Sequence, residues 1–214
     1  DTFDGKQVFR FDTFGDEQLW TDFLQMPDAV SKVDPATALA VGLKVDVDAL
    51  PPAVVTALRA GQVDLTDPAV TTELLRINAV VGLKGTVDNG HLTRLGIQCS
   101  LCHSTVDQSF STKAIPAGNV GQRLDGWPNR DLNVGAIIAF APTVKPIADL
   151  LQTDEATVRT VLRSWGPGKF DAALLLDGKA MRPDGKPGAT LLPAAFGLAG
   201  ISQHTYTGWG GVSH

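Results

Sequence analysis

The stretch Cys99-Ser100-Leu101-Cys102-His103 decides how the rest of the chain is read. Two cysteines separated by two residues and followed at once by a histidine put two thiols and an imidazole into one helical turn. Other chemistries also use a Cys-x-x-Cys pair: a redox dithiol, half of a zinc site, or a small disulfide. Zinc needs two further ligands, best from a second close pair, but the chain has 2 Cys and 4 His, with His91, His204 and His214 scattered. A redox dithiol is expected to follow a strand and open a helix, often with proline between the cysteines. Here Ser100 and Leu101 stand between them. Dithiol and disulfide stay open beside a fuller reading, in which all three groups serve one ligand.

That reading is covalent haem attachment, with two thiols for the two porphyrin vinyl groups and a ring nitrogen for the iron. On Cys99, Cys102 and His103 the chain resembles the c-type cytochromes. The resemblance implies one covalently attached haem c with His103 as proximal axial ligand. It also implies a mainly α fold, an enlarged cytochrome c-like domain with a few short β-strands. Such attachment takes place outside the cytoplasm, so a periplasmic or extracellular protein is expected. A chain that starts at Asp1, with no basic-then-apolar leader, fits an exported protein whose signal peptide has been removed.

With 214 residues, 43% of them hydrophobic, the chain can bury a substantial core. A net charge of −5 and a pI near 5.2, made more negative by haem propionates, exclude nucleic acid and anionic membrane surfaces as partners. A basic redox partner protein suits that charge. The most apolar run, Val134 to Ala141, falls far short of the roughly 20 residues of a membrane span, so no transmembrane segment is expected.

Alternating aromatics from Asp1 to Arg10 predict a strand or extended arm. Helices are expected over Gly15 to Gln25, from Pro35 to Leu39, from Pro52 to Ala60 with Gly61 as its stop, and after Asp67-Pro68. Val41 to Asp48 and Val81 to Asp88 resemble each other and read as two strands of one small sheet. Asp88-Asn89-Gly90 signals a turn that folds Val81 to Val87 onto His91 to Ile97, with His91 as an exposed turn residue. Met26 reads as core filler. Asp131 is expected to cap a helix through Phe140, and Thr153-Asp154-Glu155 to open the most amphipathic one. Residues 1–90 are assigned to a haem-free extension packed on a haem domain of residues 91–214, together one compact unit.

Between the motif and the last helix, Gly121 to Asn133 packs Arg123, Trp127 and Arg130 into one polar loop. Guanidinium and indole N–H groups of this kind can bond haem propionates. The second axial position decides what an iron held by His103 could do. A closed iron favours electron transfer and an open one permits chemistry on a small ligand. His204 and Met181 are the leading candidates to close it, with His91 and His214 behind them.

The run from Leu192 to Gly211, an apolar Pro-Ala-Ala-Phe-Gly-Leu-Ala-Gly leading to His204 and a glycine turn, resembles the closing part of haem domains in the dihaem cytochrome c peroxidase superfamily. That superfamily includes methylamine-utilisation maturation enzymes and rubber oxygenases. Those enzymes carry two haems, whereas this chain has one attachment motif. Electron transfer is the leading expectation. The alternatives are a haem peroxidase or oxygenase with an open distal face, recruiting His204, Tyr206 or Glu155 for acid–base work, and a cytochrome subunit of a larger redox assembly.

Overall fold

The computed structural model of the protein describes residues 4–171 and 188–196, together with the backbone of 203–204 and 210–211. Short carboxylate and amide caps set where most of its helices begin. Asp4 accepts hydrogen bonds from the Lys6 and Gln7 amides and opens α1 (Gly5–Phe11), so the expected N-terminal strand is a helix. The alternating aromatics misled because the capping signal at Asp4 outweighs a period-2 pattern of that length. The helix expected over Gly15 to Gln25 is present in part and in widened form, a π-helical segment at Leu19–Phe23 that buries Trp20. It is followed by α2 (Met26–Val30) and by α3 (Pro35–Ala40), the latter capped by Asp34.

The chain then turns at Val41 and Gly42 into β1 (Val45–Asp46). The expected long strand stops there because the Asp46 side chain accepts from the Asp48 amide and winds the chain into a 3-10 turn at Val47–Ala49. Two helices with proline in their first turn follow, α4 (Pro52–Arg59) and α5 (Pro68–Arg76). Next come β2 (Leu83–Asp88) and β3 (His91–Ile97), which form the expected antiparallel hairpin. At its tip Asn89 and Gly90 both take positive φ, 50° and 80°, as a tight two-residue turn requires. The stretches starting at Val41 and Val81 do meet, through a Val45–Val80 bridge and the bonds Asp46 N–H to Ala79 O and Val81 N–H to Lys44 O, both 2.9 Å. They make one bridge, not two full strands of a sheet.

After the hairpin come α6 (Ser100–His103), β4 (Ser104–Val106), β5 (Val120–Gly121) and β6 (Arg123–Asp125). β4 pairs antiparallel with β6, and β1 pairs parallel with β5. Three helices close this part of the chain: α7 (Val134–Ala139), α8 (Lys145–Leu151) and α9 (Glu155–Ser164). Asn133, not Asp131, caps α7, accepting from the Ala136 amide at 3.0 Å. Asp131 instead carries the ion pair to the buried Lys44 ammonium, 2.6 Å away. Finally β7 (Lys169–Phe170) pairs antiparallel with β8 (Thr190–Leu191), and a backbone ladder joins Gln203–His204 to Gly210–Gly211.

Among the described residues helix accounts for 41% and strand for 17%, so the architecture is mixed and helix-rich rather than mainly α. Every sheet among the described residues has two strands. One buried cluster runs from Trp20 and Leu24 through Leu83, Leu95 and Leu101 to Val158, Leu162, Trp165 and Leu192. A second, around Val45, Leu58, Phe110 and Val120, sits under α4. The hairpin and the first cluster both cross residue 90. No helix among the described residues is long and apolar enough to cross a membrane.

Candidate functional site

The motif turn is held on every side by backbone. Gln98 bridges to the N-terminal arm: its side-chain amide donates to Phe11 O at 3.0 Å, and its backbone amide donates to Gly82 O at 3.0 Å. Cys99 forms the N-terminal boundary of α6. The His103 amide donates to Cys99 O at 3.2 Å, closing a single turn that presents Cys99, Cys102 and His103 on one face. The carbonyls at its C-terminal end, orphaned in any helix, find donors: Asn129 N–H to Cys102 O at 3.0 Å and Gly126 N–H to His103 O at 2.8 Å. Below it Ser104 Oγ donates to Asp125 Oδ1 at 3.0 Å, while Arg10 Nε donates to Asp125 Oδ2 at 2.6 Å.

His103 is oriented by one further bond. Its Nδ1 lies 3.0 Å from Pro193 O, and since a carbonyl only accepts, Nδ1 carries the proton. In the neutral ring Nε2 is then the nitrogen with the free lone pair, and it makes no hydrogen bond to any described residue. Pro193 is brought there by its neighbours, with Leu192 N–H donating to Gly168 O at 2.9 Å and Ala195 N–H to Gly126 O at 2.8 Å. The next residues in these two segments, Trp127 and Phe196, pack with tilted rings whose centroids lie 5.4 Å apart, and both remain about half exposed. An open groove beside them is lined by Lys6 and Phe9 of α1 and by Asp125, Gly126 and Phe196.

Cys99 and Cys102 are both free thiols, each partly exposed. Burial raises the Cys99 pKa, and burial followed by the neighbouring Cys99 sulfur pushes Cys102 up to about 11. A redox dithiol needs the opposite, a thiol with a depressed pKa. The three groups thus offer two protonated thiols and one imidazole nitrogen with its lone pair free.

The loop residues separate. Trp127 lies beside the motif, as described. Arg130 is exposed. Arg123 is buried, its Nε 2.8 Å from Asp46 Oδ2 in an ion pair and its guanidinium 5.4 Å from the Phe11 ring. Desolvation holds the Arg123 pKa below its ordinary value despite that carboxylate. Met26 is buried in the core, and His91 is exposed where the hairpin turns. Glu155 accepts from the Val144 amide at 2.7 Å, between α8 and α9. For His204 only the backbone is described, opposite Gly210. Met181, Tyr206 and His214 lie outside the described residues.

What sequence reasoning missed is mostly backbone: the Pro193 carbonyl and the amides of Gly126 and Asn129. A prolyl carbonyl leaves no mark in a sequence beyond the proline itself. Arg10 was legible only as part of an arm. Comparison with protein-family models, with curated proteins and with solved structures found no match to this chain.

Proposed function

We propose that the chain is a mono-haem c-type cytochrome that carries electrons. The observation that carries this reading is the His103 imidazole, fixed by Pro193 O through Nδ1 with Nε2 left free, in the same turn as two protonated thiols. A metal-ligating histidine ordinarily donates its second nitrogen to a carbonyl or carboxylate, which sets the ring and raises the basicity of the ligating nitrogen. The donor set fits a covalent haem. Cys99 and Cys102 would hold the group by thioether bonds, each S–H adding across a vinyl double bond with sulfur to one carbon and hydrogen to the other, and His103 would supply the nitrogen for its iron. A bound haem supplies a one-electron couple, with a potential set by axial ligation, burial and hydrogen bonding.

The protein's own residues do the rest. Pro193 O holds the imidazole from turning. Gly126 and Asn129 hold the turn that carries it. Trp127 and Phe196 supply apolar cover beside it, where exposed aromatic surface would otherwise face water. In this reading His204 or Met181 would be the second iron ligand, and a basic protein would be the redox partner, met outside the cytoplasm.

The test is the optical and paramagnetic resonance spectrum of the purified protein, oxidised and reduced, with and without carbon monoxide. The expected result is haem that stays with the chain on denaturation, a low-spin ferric signal, and no carbon monoxide shift. A high-spin signal that shifts with the gas moves the reading to a peroxidase or oxygenase. Chain that acquires no covalent haem in a host able to attach it overturns the proposal.

A further inference from the structure

The bond between His103 Nδ1 and Pro193 O lies at the surface, where water competes for both groups. Pro193 and Ala194 are exposed, so their own packing does not keep that carbonyl in place. Its neighbours on both sides do. Leu192 is buried in the first cluster with its amide bonded to Gly168 O, and on the far side the Ala195 amide donates to Gly126 O at 2.8 Å.

Gly126 joins the motif turn to this segment. Its N–H donates to His103 O and its carbonyl accepts from the Ala195 amide, both at 2.8 Å. The space where its side chain would stand is taken by Phe196, since a Cβ built on Gly126 would lie 3.0 Å from both Cβ and Cδ1 of that residue. The same ring packs against Trp127, the next residue after Gly126. Of the three residues that follow Pro193, Ala194 and Ala195 carry only a methyl group. Phe196 therefore supplies the side-chain contact that fastens this end.

We infer that Phe196 is a positioning residue for His103. Its ring, seated on Gly126 and Trp127, keeps residues 192–196 docked, and the docked segment keeps Pro193 O on Nδ1, so that the proton stays there and the Nε2 lone pair stays free. An imidazole that loses this carbonyl turns more freely and passes its proton to Nε2. That much is a property of the chain with or without a bound group. Its consequence for a haem rests on the cytochrome reading. An imidazole that donates through Nδ1 is the more basic ligand, favours ferric iron and holds the reduction potential down.

The first test is nitrogen-15 NMR of the His103 ring in the full-length chain without haem, at pH 8, above the ordinary histidine pKa. It compares the wild type with Phe196→Ala and Phe196→Tyr. The wild type is expected to show a protonated Nδ1 and a free Nε2. Phe196→Ala should move the tautomer ratio about 3- to 10-fold towards the Nε2–H form, the worth of one hydrogen bond, and Phe196→Tyr, which keeps the ring, should keep the wild-type ratio. With haem attached, Phe196→Ala should raise the reduction potential. Loss of apolar cover alone would lower it, because water favours the more highly charged ferric state. A wild-type ring with no proton on Nδ1 overturns the inference. So does a Phe196→Ala ring that keeps the wild-type tautomer, or a potential that falls. A chain that takes no haem overturns the cytochrome reading alone, since the tautomer is read without it. Should Phe196→Ala fail to fold, Trp127→Ala, which removes the other ring of the pair, takes its place with the same expected change.

Discussion

Burial holds the Cys102 thiol protonated up to about 11, and the Cys99 sulfur pushes the same way. In chain prepared without haem, that makes Cys102 a slow nucleophile. At pH 8 its iodoacetamide alkylation, followed by peptide mass spectrometry, is expected to run at least about a hundred-fold slower than that of an unperturbed thiol and to climb with pH towards 11. Alkylation at the rate of a free thiol would restore the redox-dithiol reading. The linkage sign follows from the same shift. A raised thiol pKa means the folded chain binds the proton more tightly than the unfolded one, so this contribution is whole below the ordinary thiol pKa. It is lost as pH rises through the folded value of about 11. At this scale the sequence was most legible where chemistry sits in side chains: Cys99, Cys102 and His103 could be placed on one turn from spacing alone. It was least legible where partners are distant. Arg123 read as a loop cation, yet Asp46, far away in sequence, holds it in the interior.

The hairpin delivers the motif, and its junction with α6 is tighter than either element suggests. Gly82 stands just before β2 with φ of 80°, and a Cβ built there would lie 2.1 Å from the Cα of Leu101. Gly90 has the same φ of 80° at the turn tip, and a Cβ there would meet nothing within 4 Å. The two glycines therefore separate backbone strain from contact. Gly90→Ala is expected to cost about 1 to 2 kcal/mol, the penalty of left-handed backbone alone. Gly82→Ala adds overpacking of about 1 to 3 kcal/mol against the motif turn and should lower haem incorporation as well. Urea unfolding of both variants checks the difference, and equal losses would mean that the hairpin does not press on α6. Turn and cap signals made this level readable: Asn89-Gly90, Asp34, Asp67 and Asp154 sit where their chemistry places them. The misreadings at residues 1–10 and 41–48 arose where an aspartate cap, from Asp4 or Asp46, competed with an alternating pattern and won.

For the whole molecule, the question is whether residues before and after 90 unfold together. Leu83, Leu92 and Leu95 of the hairpin share one buried cluster with Val158 and Leu162 of α9, and Trp165 continues that cluster edge-on to Phe170. Packing across the boundary is supplemented by backbone, since β1 takes β5 as its parallel neighbour. Leu162 is wholly buried in that cluster, so its truncation reports on the cluster. Leu162→Ala is expected to cost about 2 to 5 kcal/mol, the range for a buried leucine whose site relaxes only in part. If the cluster is one cooperative unit, native-state hydrogen exchange will show protection of the β2–β3 amides falling by the same amount as that of α9. If α9 loosens while the hairpin keeps its protection, the chain holds two units. The turn carrying Cys99, Cys102 and His103 then belongs with the hairpin, because Gln98 hydrogen-bonds to Gly82 O and a Cβ at Gly82 would strike Leu101. In that case the Pro193 contact to His103, which arrives from the α9 side through the β7–β8 pair, would open before the turn itself.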